Sequence, residues 1–244
     1  RPTIVLLQGA FQLPEVYHAF VKLIEAHGFP VTQAPYPSLN QADLDFISKD
    51  LNDDAASAEA CIRTLVEEEG KTVVVVMHSY GGLVGAEAVS EALTLKHRKA
   101  RGLPGGVAHF FFLAAFVMDK GQSVAKTVGP SPDHDIVDGR FIMRDPLAKM
   151  YNDVARVEAQ YWAARVISQS AAVMDTQMEI CAWKYVPSTY VVCTKDEAVR
   201  PAVQEMFAGL AGSAVMRVVG GHSAFLSKAE EVVGLVGEVA SQSF

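Results

Sequence analysis

The chain has 244 residues, half of them hydrophobic and a fifth charged, with a formal net charge of −7. That length and apolar content suit one α/β domain with a sizeable core. The acidic balance argues against nucleic acid or an anionic membrane as partner, and the longest apolar run, residues 107–118, is too short to span a bilayer.

In chain order, short apolar runs alternate with longer amphipathic ones, the pattern of βαβ units in a parallel sheet. Strands are predicted at 4–7, 30–34, 72–78, 107–115, 188–194 and 214–219, most of them apolar throughout, as strands covered on both faces are. Val16, Phe20, Leu23 and Ile24 share one face of a first helix. Ala58, Ile62, Leu65 and Val66 share a face of the second, which follows Asp53 and Asp54, read as its capping residues. A third helix follows Gly82. The last begins at Ser227, with Glu230 three residues on as a capping box, and presents Val232, Val233, Val236 and Val239.

One segment breaks the rhythm. About seventy residues separate the fourth strand from the fifth, far more than a crossover needs. They hold a loop rich in Pro, Gly and Asp, from Gly129 to Asp135, and helical patterns from Pro146 to about Trp183. They predict a helical cap, about 117–186, inserted in a single domain spanning 1–244. Cys61, Cys181 and Cys193 are too scattered for a disulfide framework or a CxxC metal site and are read as buried free thiols of a reducing compartment. The first residues already read as a strand, with no signal or transit segment, so a cytoplasmic location is expected.

The chemistry concentrates in Val73-Val74-Val75-Val76-Met77-His78-Ser79-Tyr80-Gly81-Gly82-Leu83. An apolar strand ends at a serine, glycines follow, and a helix begins: a strained strand-to-helix turn that holds a nucleophile out at the end of a sheet. A serine hydroxyl needs a base, and the base needs an acid to fix its tautomer. His222, in the loop after the last strand, is the candidate base. Asp196, just past the preceding strand, is the candidate acid, with Glu197 and a helix-capping role for Asp196 as competing assignments. All three fall at the carboxyl ends of separate strands, where open parallel sheets bind ligands. An oxyanion hole needs two N–H donors. Tyr80, after the nucleophile, supplies one. The loop Gln8-Gly9-Ala10-Phe11 supplies the other, assigned to Ala10, with Phe11 as the alternative.

These stretches, with the run from Tyr190 to Pro201, the run from Gly221 to Ser227 and the segment from Ser168 through Trp183, resemble the α/β-hydrolases of the small single-domain type. The chain is similar to the plant methylesterase and hydroxynitrile lyase group and its microbial esterase-like relatives over nearly its whole length. The resemblance implies an α/β-hydrolase fold: a mostly parallel six-stranded sheet, helices on both faces and an inserted helical cap. It also implies Ser79 as nucleophile, Asp196 as acid, His222 as base and Ala10 and Tyr80 as oxyanion donors. By the same comparison the chain begins at the family's third strand, without the leading hairpin. Three positions depart from the pattern. Met77 stands where the serine motif has its first glycine, Gln8 where many members have His or Pro, and Ser223 where hydroxynitrile lyases carry Lys. The last counts against lyase chemistry of that type.

Among the remaining candidates, Phe11, Phe116, Tyr151, Trp162 and Phe225 are read as substrate-pocket residues, with the cap core as the equal alternative for Tyr151, Trp162 and the neighbouring Tyr161. His78 is expected to point away from substrate. His18, His27 and His97 fit helix surfaces, and His109 a strand. Asp133, His134, Asp135 and Asp138 are read as a solvated cap loop rather than a metal site. No metal and no cofactor are expected. The expected partner is a small-molecule substrate, and cap or sheet-edge contacts are candidate homodimer surfaces. The reaction expected is acyl transfer from a small, mostly apolar ester, lactone or thioester. Carbon–carbon hydrolysis, lyase or cyclase chemistry on a secondary metabolite, and a ligand-binding receptor, are the alternatives.

Overall fold

Six parallel strands form at the six predicted positions. In the computed structural model, which describes residues 1–129, 131–242 and 244, they are β1 (Thr3–Leu7), β2 (Val31–Gln33), β3 (Thr72–His78), β4 (Gly106–Leu113), and, after an insertion, β8 (Ser188–Cys193) and β9 (Ala214–Val218). The insertion itself contributes β5 (His134–Val137), β6 (Arg140–Met143) and β7 (Gln169–Ser170). The main sheet runs β2-β1-β3-β4-β8-β9, with every neighbouring pair parallel. The chain therefore moves outward from β1 in one direction and from β3 in the other. A crevice opens at the carboxyl ends of such a pair.

Strand alternation assigns the two faces of the sheet. Ile4, Leu6, Val74, Val76, Phe111 and Leu113 are buried on the face that also holds Phe20 and Ile24 of the helix His18–Ala26 and Val232, Val233, Val236 and Val239 of the helix Ala229–Ala240. Val5, Leu7, Val73, Val75, Met77, Phe110 and Phe112 are buried on the other. There they meet Leu51, Ala58 and Ile62 of the helix Leu51–Arg63, the helix Gly81–Ala88, and Phe207 of the helix Pro201–Ala211. Burial on both faces is what makes the strands read as continuous apolar runs.

Three local expectations need correction. The second helix is capped by Asp50, whose side chain accepts from the Asn52 and Asp53 N–H groups, while Asp53 completes a capping box; Asp54 is fully buried and caps nothing. Ser227 and Glu230 form no capping box, because Ser227 closes a short helix, Ala224–Ser227, and its hydroxyl donates to Asp153 at 2.7 Å. The insertion is not wholly helical: β5, β6 and β7 pair as an antiparallel sheet, and the helices around it are short, Val124–Val128, Pro146–Met150 and Arg156–Ala163. The hairpin had a local signal. Asp138 and Gly139 both have positive φ, 48° and 73°, between two four-residue runs, the conformation of a tight two-residue turn favoured by Asp-Gly.

Met77 does not crowd the serine turn. Its side chain is buried beneath the helix Gly81–Ala88, with its sulfur 2.3 Å from where a Cβ on Gly85 would lie. The bulk that replaces the motif's first glycine is thus taken up one helical turn later, at a position without a side chain. Cys181 and Cys193 are buried and Cys61 half-buried, all three as free thiols. No helix among the described residues is long and apolar enough to cross a membrane.

Candidate active site

Ser79 sits directly after β3 with a φ of 52°. A left-handed backbone at a residue with a side chain is strained and persists only where its surroundings enforce it. Here the Ser79 N–H donates to the Leu113 carbonyl at 3.2 Å, and its carbonyl accepts from the Gly82 and Phe116 N–H groups, each at 3.0 Å. Gly81 lies so close to β1 that a Cβ there would meet the Leu7 carbonyl oxygen at 2.3 Å. The glycine lets the turn rest on the end of β1, which brings the Gln8 to Phe11 loop beside the serine.

His222 and Asp196 form a buried pair, Nδ1 to Oδ2 at 2.8 Å. Asp196 is held on four sides. Oδ1 accepts from the Ala198 and Val199 N–H groups at 2.8 and 2.9 Å, and Oδ2 accepts from Gln204 Nε2 at 2.9 Å as well as from His222. Asp196 thus partners the histidine, while the helix-capping alternative does not hold: the helix Pro201–Ala211 follows Arg200 with no side-chain cap, and Asp196 instead closes the turn before it; Glu197 is exposed. Gln204, on the helix Pro201–Ala211, also fastens β8 by accepting from the Cys193 N–H at 2.9 Å. A glutamine on a helix carries no sequence signature for this role.

Ser79 and His222 line one cavity of about 550 Å³. The Ser79 hydroxyl has no internal hydrogen bond among the described residues. Ala10 and Tyr80 line the same cavity, and no acceptor among the described residues takes their N–H groups.

The expectation for His78 holds in direction. Its ring turns from the cavity into a buried cluster, with Nε2 2.9 Å from the His222 carbonyl and Nδ1 2.7 Å from the Tyr17 hydroxyl. A carbonyl can only accept, so His78 donates from Nε2, and Nδ1 shares the single Tyr17 hydroxyl proton with Gln12 Oε1. Burial, reinforced by the neighbouring His222, pushes the His78 imidazole well below its ordinary value and keeps it neutral. Tyr17 in turn accepts from the Gly9 N–H at 2.9 Å and lies 2.6 Å from Gln12 Oε1. Gln8 joins the same cluster by donating to the Gln12 carbonyl at 2.7 Å. The loop after β1 and the loop carrying His222 are thereby tied to each other behind the cavity.

A second buried group lies beneath Tyr80. Its hydroxyl donates to Asp54 at 2.8 Å, and Asp54 also accepts from the Ser38 N–H at 3.0 Å and the Ser38 hydroxyl at 2.5 Å. Gln169 of β7 donates to Ser38 at 2.8 Å, joining the insertion to this cluster. Burial pushes the Asp54 carboxyl up to about 6, against the lowering effect of its Ser38 and Tyr80 hydrogen bonds. The folded state then holds this proton more tightly than the unfolded chain, so its contribution favours folding at low pH and is lost as pH rises from about 4 through about 6, on the order of 3 kcal/mol in all. Asp54→Asn is expected to remove that slope. Across pH 4 to 7 its Tm should rise relative to wild type, and parallel Tm profiles would refute the assignment.

Of the five predicted pocket residues, two line the cavity, Phe11 and Phe116. Three do not. Tyr151 is buried and accepts from Gln12 at 3.1 Å. Trp162 packs edge-on against Tyr161, with 4.9 Å between ring centroids. Phe225 is buried behind the histidines, stacked on Tyr17 at 4.3 Å and edge-on to His78 at 5.0 Å. The aliphatic wall comes instead from Val124, Met143, Met150, Val173, Met174 and Val199. His134 is the other departure. It is not in a solvated loop but in β5, stacked on Phe11 and facing the cavity. Its neighbours pair elsewhere, Asp133 with Lys149 at 3.1 Å and Asp135 with Arg144. No three His, Cys, Asp or Glu side chains among the described residues converge as metal ligands.

Comparison with known proteins agrees with this architecture. The chain is 25% identical over 255 residues to "Alpha/beta hydrolase nvfD" of Aspergillus novofumigatus, covering 100% of this chain and 98% of that one. Among solved structures it is similar to polyneuridine aldehyde esterase, with a TM-score of 0.77, 16% identity and coverage of 99% and 100% of the two chains. It is likewise similar to a pyrethroid hydrolase from Sphingobium faniae JZ-2, with a TM-score of 0.74, 20% identity and coverage of 98% and 97%. Residues 4–235 match the alpha/beta hydrolase family as a whole, and with the serine turn, the buried histidine–aspartate pair and the strand order already in place, the chain belongs to that family.

Proposed function

We propose that the protein is a serine hydrolase that cleaves a small, mostly apolar ester, lactone or thioester through an acyl-serine intermediate. The observation that carries this reading is the left-handed Ser79 at the end of β3, facing the same cavity as a histidine whose far nitrogen is held by a buried aspartate. His222 Nε2 takes the Ser79 proton as Oγ attacks the carbonyl carbon. The carbonyl oxygen, now negative, lies between the N–H groups of Ala10 and Tyr80. As the intermediate collapses, the bond to the leaving group breaks and His222 returns the proton to it. Water, deprotonated by the same histidine, then releases the acid and restores the serine. Asp196 keeps the proton of neutral His222 on Nδ1 and stabilises the charged form.

Residues 117–186 serve as a cap in this scheme. They supply much of the apolar wall, which favours a hydrocarbon-rich acyl or alkyl group. The name of one structural neighbour, an esterase, fits the same chemistry. Cytoplasmic location and a homodimer are the accompanying expectations.

The test is a fluorophosphonate probe on the purified protein, followed by mapping of the adduct. The expected outcome is one label, on Ser79, absent from Ser79→Ala. An unlabelled wild type that binds small apolar ligands would favour a receptor instead.

A further inference from the structure

We infer that His134 is a substrate-binding residue, and that the substrate carries, within its apolar body, a keto or hydroxyl oxygen that hydrogen-bonds to this imidazole. The inference rests on the hydrolase reading for the word substrate, and on separate residues for the binding subsite. Three observations meet at His134. It lines the cavity that holds Ser79, on the side formed by the inserted hairpin. Its ring is held as part of the wall, 5.6 Å from Phe11 and 4.7 Å from Phe141 between centroids. Neither of its ring nitrogens has a hydrogen-bond partner among the described residues, although Asp133 beside it is engaged by Lys149. A half-buried imidazole packed between Phe11 and Phe141 has lost part of its hydration, which a hydrogen-bonding ligand would replace.

The stacking alone would be served as well by phenylalanine. What histidine adds is one donor and one acceptor at a fixed place beside Phe11 and Phe141, where the nearby Asp133 and Lys149 are already paired with each other. Burial lowers its pKa, so near neutrality it offers both. A keto oxygen accepts from the N–H and a hydroxyl can use either nitrogen, so one residue recognises both oxidation levels of the same position. Phe11, against which the ring stacks, adjoins Ala10 in the loop after β1, so the subsite and the reacting carbonyl are referred to one piece of backbone.

The experiment uses p-nitrophenyl octanoate and a series in which one keto or hydroxyl group is moved along the chain from carbon 3 to carbon 7. Wild type is expected to favour one position over the unsubstituted ester by about tenfold in kcat/KM, which corresponds to about 1.4 kcal/mol. His134→Phe, which keeps the stacking, is expected to bring that ratio close to one, and His134→Gln to retain part of it. Calorimetric binding of the same esters to Ser79→Ala repeats the comparison without turnover. Turnover with no favoured position, or a preference unchanged in His134→Phe, overturns the subsite alone. Position-dependent binding lost in His134→Phe, with no turnover by wild type, supports the subsite and overturns the hydrolase reading.

Discussion

Asp196→Asn is expected to lower kcat about 10⁴-fold with little change in KM. The carboxylate accepts four hydrogen bonds, two from backbone N–H groups on Oδ1 and one each from Gln204 and His222 on Oδ2. An asparagine that keeps its oxygen on the two backbone N–H groups turns its NH2 toward Gln204 and His222. The histidine can then only accept at Nδ1. Its proton moves to Nε2, the atom that in the proposed mechanism must be bare to receive the serine proton. The ring remains in place while its tautomer is wrong. Steady-state kinetics on an ester that wild type turns over would check this, and a loss smaller than tenfold would remove Asp196 from the mechanism.

Gly81→Ala is expected to cost about 1–3 kcal/mol of stability and at least 10²-fold in turnover. A Cβ at this position lies 2.3 Å from the Leu7 carbonyl oxygen and 2.8 Å from that of Gln8. Both are backbone atoms at the end of a central strand and cannot rotate aside. Relief requires the serine turn to move off β1, which separates the N–H groups of Ala10 and Tyr80. The control is Gly234→Ala on the exposed side of the last helix, where nothing lies within 4 Å of the new methyl group. There the change should stabilise by up to about 1 kcal/mol through helix propensity. Thermal melts and turnover of both variants decide the matter, and a Gly81→Ala protein as active as wild type would show that the contact is not needed.

The parts of this molecule legible in its sequence were those set by short-range rules. Strands buried on both faces announce themselves as apolar runs, so the six-stranded sheet could be placed to within a few residues. Ser79, Asp196 and His222 each follow such a strand, which is why their placement at one edge of the sheet could be foreseen. Illegible features depended on which way a side chain turns after distant elements have packed. Tyr151, Trp162 and Phe225 are aromatic residues near the right loops, but Tyr151 turns to Gln12, Trp162 packs half-buried against Tyr161, and Phe225 backs the histidines. Asp54 follows the first acidic residues of a helix and reads as a cap, whereas the helix rotates it inward to meet Ser38 and Tyr80. The inserted hairpin was obscured by composition: its Asp-rich approach reads as solvated loop, and only the Asp-Gly pair records the turn.

The cluster around His78 has a consequence for how the chain comes into being. Its Nε2 requires a carbonyl 144 positions further along, at His222. A chain emerging amino end first presents Tyr17, Gln12 and His78 long before that carbonyl exists, with polar atoms that only water can satisfy. Closure of the cluster therefore awaits β9 and the loop beyond it, and the same event brings His222 to the cavity that Ser79 lines. On the proposed mechanism, competence for chemistry and completion of the fold arrive together, so a nascent fragment that ends before β9 is expected to be chemically inert.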